Sequence, residues 1–250
     1  MARRLSVSIS KGGTGKTTTA VNLAHGLALA GYRVLLVDTD AQGQAGAMLG
    51  LRPEVGLAEL VAGEATAEEA VVEARERLNL LAGGRALAGL RRLIARKDYG
   101  GERTLSEALK PLEDAYEYVL LDTAPGLDPM AVNCLFYAEE VLAPVSLEVL
   151  TLQGLMDFSR SVQDIQAYRP EVSLRYIVPT FLDGRVRKSG EILRQLQDHY
   201  PDQLCPPVHY SVRLSEAPGY GQTVFEYAPR STGAKDYQLL TERIVSDGRP

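Results

Sequence analysis

The sequence predicts an α/β protein with a doubly wound, mostly parallel sheet and helices on both faces. Along its 250 residues, short apolar runs alternate with longer amphipathic segments, as in folds whose parallel strands are joined by crossover helices. The run Arg33–Asp38 is apolar almost throughout, which is typical of a strand buried on both faces. A glycine-rich turn separates the first apolar run from the first helical pattern. Such sheets bind their ligands at the carboxyl ends of the strands.

The predicted elements follow that alternation in order. Leu5–Ser10 is the first strand, Lys16–Leu29 is a helix that ends before Gly31, and Arg33–Asp38 is the second strand. The later elements are strands at Tyr118–Asp122, Val141–Val145 and Leu174–Pro179 and helices at Pro129–Ala138, Leu152–Tyr168 and Lys188–Tyr200. Each of these helices is of crossover length, so it can join two parallel strands.

The stretch Leu51–Gly101 is less regular and contains Glu- and Ala-rich runs. We expect an insertion of helices here, with one short strand at Leu78–Ala82. No linker rich in Pro, Gly or Ser divides the chain, so residues 1–250 are predicted to form one domain. Near the end of the insertion, basic residues surround an apolar stripe and form either a solvated face or a docking surface for a partner. The stripe consists of Leu87, Leu90, Leu93 and Ile94.

Composition limits the possible classes of function. With 45% hydrophobic and 24% charged residues, the chain is globular rather than disordered, collagen-like or coiled-coil. The net charge of −5 argues against wholesale attraction to nucleic acid but allows a local basic patch. Cys134 and Cys205 lack metal-ligand or disulfide spacing, so both are expected in the core of a cytoplasmic protein. No apolar window is long enough to span a membrane.

The segment between the first strand and the first helix has the residues of a phosphate-binding loop. It runs Ser10-Lys11-Gly12-Gly13-Thr14-Gly15-Lys16-Thr17-Thr18. Its glycines allow successive backbone N–H groups to face inward, and the start of the helix adds partial positive charge, which suits a polyphosphate. In such a loop Lys16 contacts the terminal phosphates and the Thr17 hydroxyl binds Mg²⁺. The loop therefore predicts a P-loop NTPase.

Carboxylates follow two further predicted strands. Asp38 and Asp40 follow the second strand, and Asp122 ends the strand that begins at Tyr118. Because the carboxyl ends of parallel strands meet at one edge of a sheet, these side chains are expected near the phosphate loop. Asp122 matches a Walker B acid, which holds Mg²⁺ through water. For each aspartate, a helix N-cap or a turn is the alternative role.

The loop differs from the common P-loop pattern because Ser10 replaces the first glycine and Lys11 is a second lysine. It resembles the deviant Walker A motif of the ParA/MinD family of ATPases, K-G-G-x-G-K-[ST]-[ST]. That resemblance implies that Lys11 reaches across a dimer interface to the phosphates of the partner's ATP; a solvated loop lysine is the alternative. The run from Asp38 to Gln44 resembles the first switch of the family. It implies that Asp40 lies at the Mg²⁺ site and positions the attacking water, which makes Lys11, Lys16 and Asp40 the implied catalytic residues.

The resemblance extends over nearly the whole chain outside the insertion. The segments Pro179–Arg185 and Val212–Pro218 resemble those of the Soj-like partition ATPases in this family. In those relatives the nucleotide base rests near the first of these segments and the loop before the second. Thr180, Pro207 and Val208 are therefore the implied base contacts, and ordinary core packing is the alternative for all three.

A DNA-binding surface is also implied. From Arg185 to Lys235 the chain has seven basic and five acidic residues, a small excess of positive charge. By resemblance, Arg185 and Arg213 occupy positions that bind DNA without sequence preference in Soj-like proteins. The candidate DNA-binding residues are Arg185, Arg187, Lys188, Arg213 and Arg230, with a solvated face as the alternative.

The last helical pattern, Asp236–Val245, argues against a membrane-binding terminus. MinD-like relatives have a basic amphipathic helix here, whereas this pattern is mixed in charge. Three of its residues, Tyr237, Leu240 and Ile244, fit a helix that packs on its own core. No membrane partner is therefore expected.

The resemblance implies an ATPase that hydrolyses ATP to ADP and phosphate and requires Mg²⁺. It would form an ATP-dependent homodimer, bind nucleoid DNA in the cytoplasm, and segregate chromosome or plasmid DNA with a ParB-like partner that stimulates hydrolysis. Two alternatives remain open. One is the positioning of a protein cargo such as a carboxysome or a chemotaxis array, and the other is a metabolic P-loop ligase.

Overall fold

A seven-stranded sheet forms the centre of the computed structural model, which describes residues 2–97, 99–148 and 151–248. The strand order is β3-β4-β2-β5-β1-β6-β7. All neighbouring strands are parallel except β3, which pairs antiparallel with β4 at one edge. The predicted doubly wound, mostly parallel sheet is confirmed. The strands are β1 (Arg3–Val7), β2 (Val34–Asp38), β3 (Val71–Arg75), β4 (Leu78–Leu81), β5 (Tyr118–Asp122), β6 (Glu140–Ser146) and β7 (Ser173–Thr180).

Helices cover both faces of this sheet. The first half of the chain contains α1 (Lys16–Leu29), α2 (Gln44–Met48), α3 (Leu57–Ala62), α4 (Ala67–Ala70), α5 (Leu87–Ala95) and α6 (Thr104–Leu109). The second half contains α7 (Pro129–Tyr137), α8 (Thr151–Gln166), α9 (Arg187–His199), α10 (Val212–Glu216), α11 (Val224–Tyr227) and α12 (Thr232–Asp247). Short 3₁₀ turns occupy Gly101–Arg103, Lys110–Ala115 and Ala217–Tyr220.

The alternation of side chains along β2 divides the core between the two faces. Leu36 packs with the apolar residues of α1 and α12, such as Leu23 and Leu240. Its neighbours Leu35 and Val37 pack on the opposite face with residues of α5 and α7. All five residues of β2 and all five of β5 are buried, as predicted for strands covered on both sides.

The predicted bounds of α1 and β5 are confirmed, whereas those of β1 are wrong. β1 begins at Arg3 and ends at Val7 instead of spanning Leu5–Ser10. Its basic start is part of the sheet, since Arg3 is in register with Tyr118 of β5, and the Arg3 guanidinium pairs with Glu140 at 2.7 Å and donates to the backbone oxygen of Ile244 at 2.6 Å. A long-range pairing of this kind leaves no local sequence signal.

The segment 51–101 contains three helices, α3, α4 and α5, but also two strands. The predicted strand at 78–82 is β4, whereas β3 was not predicted because an edge strand is only partly buried and has a weak pattern. In α5, Leu87, Leu90 and Ile94 are buried as expected, but the prediction for Leu93 is wrong because half of its surface is exposed.

The C-terminal helix α12 packs on the core. Tyr237, Leu240 and Ile244 are buried, which confirms the predicted docking face. Cys134 and Cys205 are buried and unpaired, as expected. Among the described helices, none combines the length and apolar character needed to cross a bilayer.

Candidate functional site

Three strands bring the predicted site residues to one edge of the sheet. In the parallel ladder, Asp122 at the end of β5 is in register with Val7 on one side and with Asp38 on the other. The phosphate loop begins at Ser10, three residues after Val7. Strand order also reverses at β1. The chain passes from β1 to β2 on one side, with β5 between them, and later returns to β6 on the other side of β1. The site is therefore at a topological switch point, where doubly wound sheets bind their ligands.

The phosphate loop has the backbone geometry of an anion-binding nest. Gly13 and Gly15 have φ angles of +71° and +85°, which residues with a side chain rarely adopt. Gly15 is the N-cap of the 14-residue helix α1, and no described side chain caps this end. The first N–H groups of α1 are therefore available to a bound anion.

Lys16 lies inside this loop. Its side chain is almost fully buried, and its Nζ donates to the backbone oxygen of Lys11 at 2.8 Å, an interaction that shapes the loop. Burial lowers the pKa of Lys16, while the neighbouring carboxylates of Asp122 and Asp40 raise it in part. The amine is thus positioned between the loop and the two acids.

Asp122 is the most deeply buried acid of the site. Both of its carboxylate oxygens are inaccessible, and the Thr17 side chain is the hydrogen-bonding group that acts on them. Burial raises the pKa of Asp122 well above its ordinary value, the nearby Asp38 raises it further, and Thr17 and Lys16 act in the opposite direction. A buried carboxylate beside a threonine hydroxyl is suited to a hydrated cation. The residues present therefore fit a magnesium site formed by Thr17, Asp122 and bound phosphate.

Asp38 and Asp40 have different surroundings. The Asp38 carboxylate is buried and accepts hydrogen bonds from the N–H groups of Asp40 at 2.9 Å and Ala45 at 3.0 Å. Burial raises the pKa of Asp38 to about 7. Asp40 is half-buried, and its Oδ1 accepts from the N–H of Gln42 at 3.0 Å. Asp38, for which the sequence predicted no catalytic or metal-binding role, holds the loop that carries Asp40.

The turn after β4 supports the same loop from the other side. The N–H of Gly84 donates to the backbone oxygen of Asp40 at 3.1 Å. A Cβ atom on Gly83 would lie 2.6 Å from that oxygen, so only glycine fits there. Sequence spacing could not show that this turn, more than forty residues away, would contact Asp40.

Lys11 faces away from its own loop. Its side chain is exposed, and its Nζ forms an ion pair with the exposed Glu148 at 2.9 Å. Only its backbone oxygen contributes to the loop, as the acceptor for Lys16. Of the two lysines of this motif, one is therefore turned inward and the other is presented on the surface beside the site.

A cavity of about 470 Å³ adjoins the phosphate loop at Gly15 and Thr18. Of the three predicted base contacts, Thr180 and Val208 line this cavity, whereas Pro207 is not among the lining residues. The Thr180 hydroxyl donates to the backbone oxygen of Thr14 at 2.9 Å and ties the cavity wall to the loop. Sequence reasoning missed several further lining residues, among them Phe181, His209, Tyr210 and Tyr237.

Phe181 has a backbone conformation that is rare for its residue type. Its φ angle is +57°, its ring is partly exposed, and a Cβ atom on Gly15 would lie 3.7 Å from the ring. Strained residues concentrate at ligand sites, where the surrounding structure maintains them. No pattern in the sequence could predict this conformation.

The five candidate DNA-binding residues are all exposed. The loop after β7, which contains Arg185, lies beside the segment that leads into α10, the helix that contains Arg213, because Leu182 bridges to His209. Three of the five have acidic neighbours. The pairs are Arg185–Asp183 at 2.7 Å, Arg187–Glu191 at 3.1 Å and Arg213–Glu216 at 2.8 Å.

The fold and the phosphate loop together define the class of P-loop NTPases, and comparison with solved structures agrees. Cobyrinic acid a,c-diamide synthase from Mycobacterium smegmatis, solved with bound ADP and magnesium, is 30% identical with a TM-score of 0.85, over 100% of this chain and 97% of that one. The same enzyme has also been solved with an ATP analogue and magnesium.

Comparison of sequences gives the family. A family model described as an AAA domain matches residues 2–174. The chromosome-partitioning ATPase Soj of Thermus thermophilus is 37% identical, over 98% of this chain and 96% of that protein. The chromosome partitioning protein ParA of Caulobacter vibrioides is 31% identical, over 99% of this chain and 95% of that protein. The chain belongs to the ParA/Soj family of P-loop ATPases, which confirms the resemblance drawn from its motifs.

Proposed function

We propose that this chain is a partition ATPase that dimerises on binding ATP and Mg²⁺ and associates in that form with DNA of any sequence. A ParB-like partner bound to the cargo then stimulates hydrolysis and releases the dimer. The protein would thus be a cytoplasmic, nucleoid-associated switch. The observation that carries this proposal is the outward orientation of Lys11 beside a loop whose other lysine points inward.

The ion pair with Glu148 can be exchanged for a stronger contact. Both side chains of that pair are substantially exposed, and such pairs stabilise proteins by only about 0–1 kcal/mol. The phosphates of a second subunit's nucleotide carry more charge than Glu148. Burial in a dimer interface would also exclude water, which strengthens the attraction between Lys11 and those phosphates. Lys11 of each subunit would then neutralise charge on the partner's nucleotide, as an arginine finger does.

The reaction within one subunit is assigned to the other predicted site residues at the carboxyl edge of the sheet. Mg²⁺ would neutralise charge on the terminal phosphates when bound. Lys16 is positioned to stabilise negative charge that develops on those phosphates, and Thr17 and Asp122 are positioned to hold the metal. Asp40, next to the buried Asp38, would orient the attacking water.

DNA binding is assigned to the exposed basic residues around Arg185 and Arg213. Their segments are adjacent, and dimerisation would place two copies of this surface on one assembly, which multiplies phosphate contacts. The full-length similarity to Soj and ParA supports chromosome or plasmid segregation over a protein cargo. A metabolic ligase would differ by requiring a small acceptor molecule and by ignoring DNA.

The proposal is tested with Lys11→Ala. We expect this variant to bind ATP as a monomer with an affinity within about threefold of the wild type, because the Lys11 side chain does not enter its own loop. Dimerisation in ATP and Mg²⁺, followed by light scattering, should be lost together with DNA retention. The matched control is Lys110→Ala, an exposed lysine in the 3₁₀ turn before β5, which should still dimerise and retain DNA. A Lys11→Ala dimer of unchanged affinity would contradict the proposal.

A further inference from the structure

His209 occupies the wall of the cavity beside the phosphate loop. It is held by Asp236, a nearly buried acid on α12. The Asp236 carboxylate accepts the backbone N–H of His209 at 2.9 Å, and the His209 Nδ1 lies 3.1 and 3.2 Å from the two carboxylate oxygens. Three contacts to one carboxylate fix both the backbone and the ring of this histidine.

The contacts also determine the tautomer of the ring. A carboxylate only accepts hydrogen bonds, so in the neutral imidazole the Nδ1 atom carries the proton that it donates to Asp236. The Nε2 atom is then an acceptor, and it lies on the side of the ring that faces away from Asp236. Because nearly half of the His209 side chain is exposed and the residue lines the cavity, this acceptor is accessible to a ligand there.

Other polar groups of the wall are either already paired or adaptable. The Thr180 hydroxyl donates to the Thr14 backbone, and the Tyr237 hydroxyl lies 3.1 Å from the Thr19 hydroxyl. Serine hydroxyls at positions 211 and 215 can rotate to donate or to accept, so they tolerate either polarity in a ligand. His209 differs because, in its neutral form, Asp236 fixes its Nε2 atom as an acceptor.

From this geometry we infer that His209 selects the base of the bound nucleotide, with Asp236 as its positioning residue. The inference rests on the proposed binding of a nucleoside triphosphate to this edge. An acceptor in the wall favours a base that presents an amino group, as adenine does. It disfavours hypoxanthine and guanine, which present a carbonyl oxygen in the same place and would leave two acceptors facing each other.

The test compares ATP with inosine triphosphate, which replaces the adenine amino group by a carbonyl and keeps the sugar and phosphates. Binding of both nucleotides is measured by calorimetry with Mg²⁺. We expect the wild type to prefer ATP by about tenfold or more, the size of one well-placed hydrogen bond. His209→Ala should reduce that ratio of affinities to within about twofold, mainly by weakening the binding of ATP. His199→Ala, on the exposed side of α9, is the matched control and should keep the wild-type ratio.

Two further variants test the fixed polarity of the ring. The amide of His209→Gln can either donate or accept, so this variant should bind both nucleotides with little preference. Asp236→Asn can donate its amide N–H to Nδ1, which moves the ring proton to Nε2 and should shift preference towards inosine triphosphate. The ¹⁵N chemical shifts of the His209 ring should report this exchange of tautomers directly.

The outcomes separate this inference from the proposed function. Tight binding of ATP that requires Lys16, together with an unchanged preference in both His209 variants, would overturn the role of His209 and leave the ATPase proposal intact. Binding of neither nucleotide to the wild type would overturn both. An equal affinity of the wild type for the two nucleotides would overturn the role of His209 alone.

Discussion

Asp38 and Asp40 show how two aspartates on one short loop acquire different roles. Asp38 ends a central strand and is buried with both oxygens occupied by backbone N–H groups. Asp40 lies two residues further on, half-buried, with one oxygen occupied by a local N–H. The first is a structural acid that shapes the loop, and the second is available to a ligand at the site.

The variant Asp40→Asn tests the proposed role of this residue in hydrolysis. The amide would keep the hydrogen bond to Gln42 but could not accept a proton or orient water as a carboxylate does, so ATP hydrolysis should fall by about 10²-fold or more while ATP binding is retained. Steady-state phosphate release and nucleotide affinity are the measurements. Asp114→Asn, an exposed acid before β5 at the opposite edge of the sheet, is the control. A turnover within twofold of the wild type would remove Asp40 from the mechanism.

The raised pKa of Asp38 predicts a pH dependence of stability in the nucleotide-free protein. Its pKa is about 7 in the folded state against an ordinary value of 3.8, because it is buried near the charges of Asp40 and Asp122. Between these values the folded protein binds more protons at this site than the unfolded chain, so its contribution to the free energy of unfolding falls as pH rises from 4 to 7. Above pH 7 the contribution becomes constant.

Urea unfolding of the wild type and of Asp38→Asn across pH 4 to 8 measures this effect. The stability of the wild type relative to the variant should decline with pH up to about 7, with a slope of at most about 1.4 kcal/mol per pH unit. A difference that stayed constant with pH, or grew in favour of the wild type, would show that Asp38 is ionised in the fold.

At the scale of elements, the loop after α2 and the turn before α11 are packed backbone against backbone. Gly50 and Gly221 both have positive φ angles, and a Cβ atom on Gly221 would lie 2.7 Å from the Cα of Gly50. Arg75 of β3 reinforces this contact, since it donates to the backbone oxygens of Leu49 and Gly221 and pairs with Glu226. The helix that follows the Asp40 loop is thereby joined to the segment that carries Arg213.

Gly221→Ala should disrupt this junction. The added methyl group meets backbone that cannot move aside, and the left-handed conformation is strained for alanine, so we expect a loss of about 2–4 kcal/mol in the free energy of unfolding. Gly219→Ala, two residues earlier, places its methyl group in open space and is the control. Equal stabilities of the two variants in chemical denaturation would contradict the close packing of Gly50 and Gly221.

At the scale of the whole molecule, a net charge of −5 has to be reconciled with the proposed binding of DNA. The candidate basic residues are concentrated on segments that the sheet places side by side, but acids neutralise several of them locally. A single subunit should therefore bind DNA weakly. Useful affinity would come from the ATP-dependent dimer, in which two such surfaces act together.

Arg213→Glu tests this surface without touching the nucleotide. In ATP and Mg²⁺ the variant dimer should retain DNA less, and the dependence of log affinity on log salt should become shallower by about one phosphate contact per subunit, or about 0.9 each. Arg33→Glu is the control, because Arg33 is exposed at the amino end of β2, on the far side of the sheet. Identical salt titrations for the wild type and Arg213→Glu would place DNA on another face.

The sequence by itself determined the fold class, the phosphate loop and the acids at the strand ends. These features are written in local patterns: buried strands such as β2 are apolar on both faces, and the glycines of the loop accompany Lys16 and Thr17 at fixed spacing. Tertiary structure alone decided which distant groups meet. Asp236 fixes the His209 ring, the turn after β4 supports Asp40, Phe181 adopts a strained backbone beside Gly15, and β3 completes the edge of the sheet. Contacts between residues far apart in the chain depend on packing and register, which no local periodicity encodes.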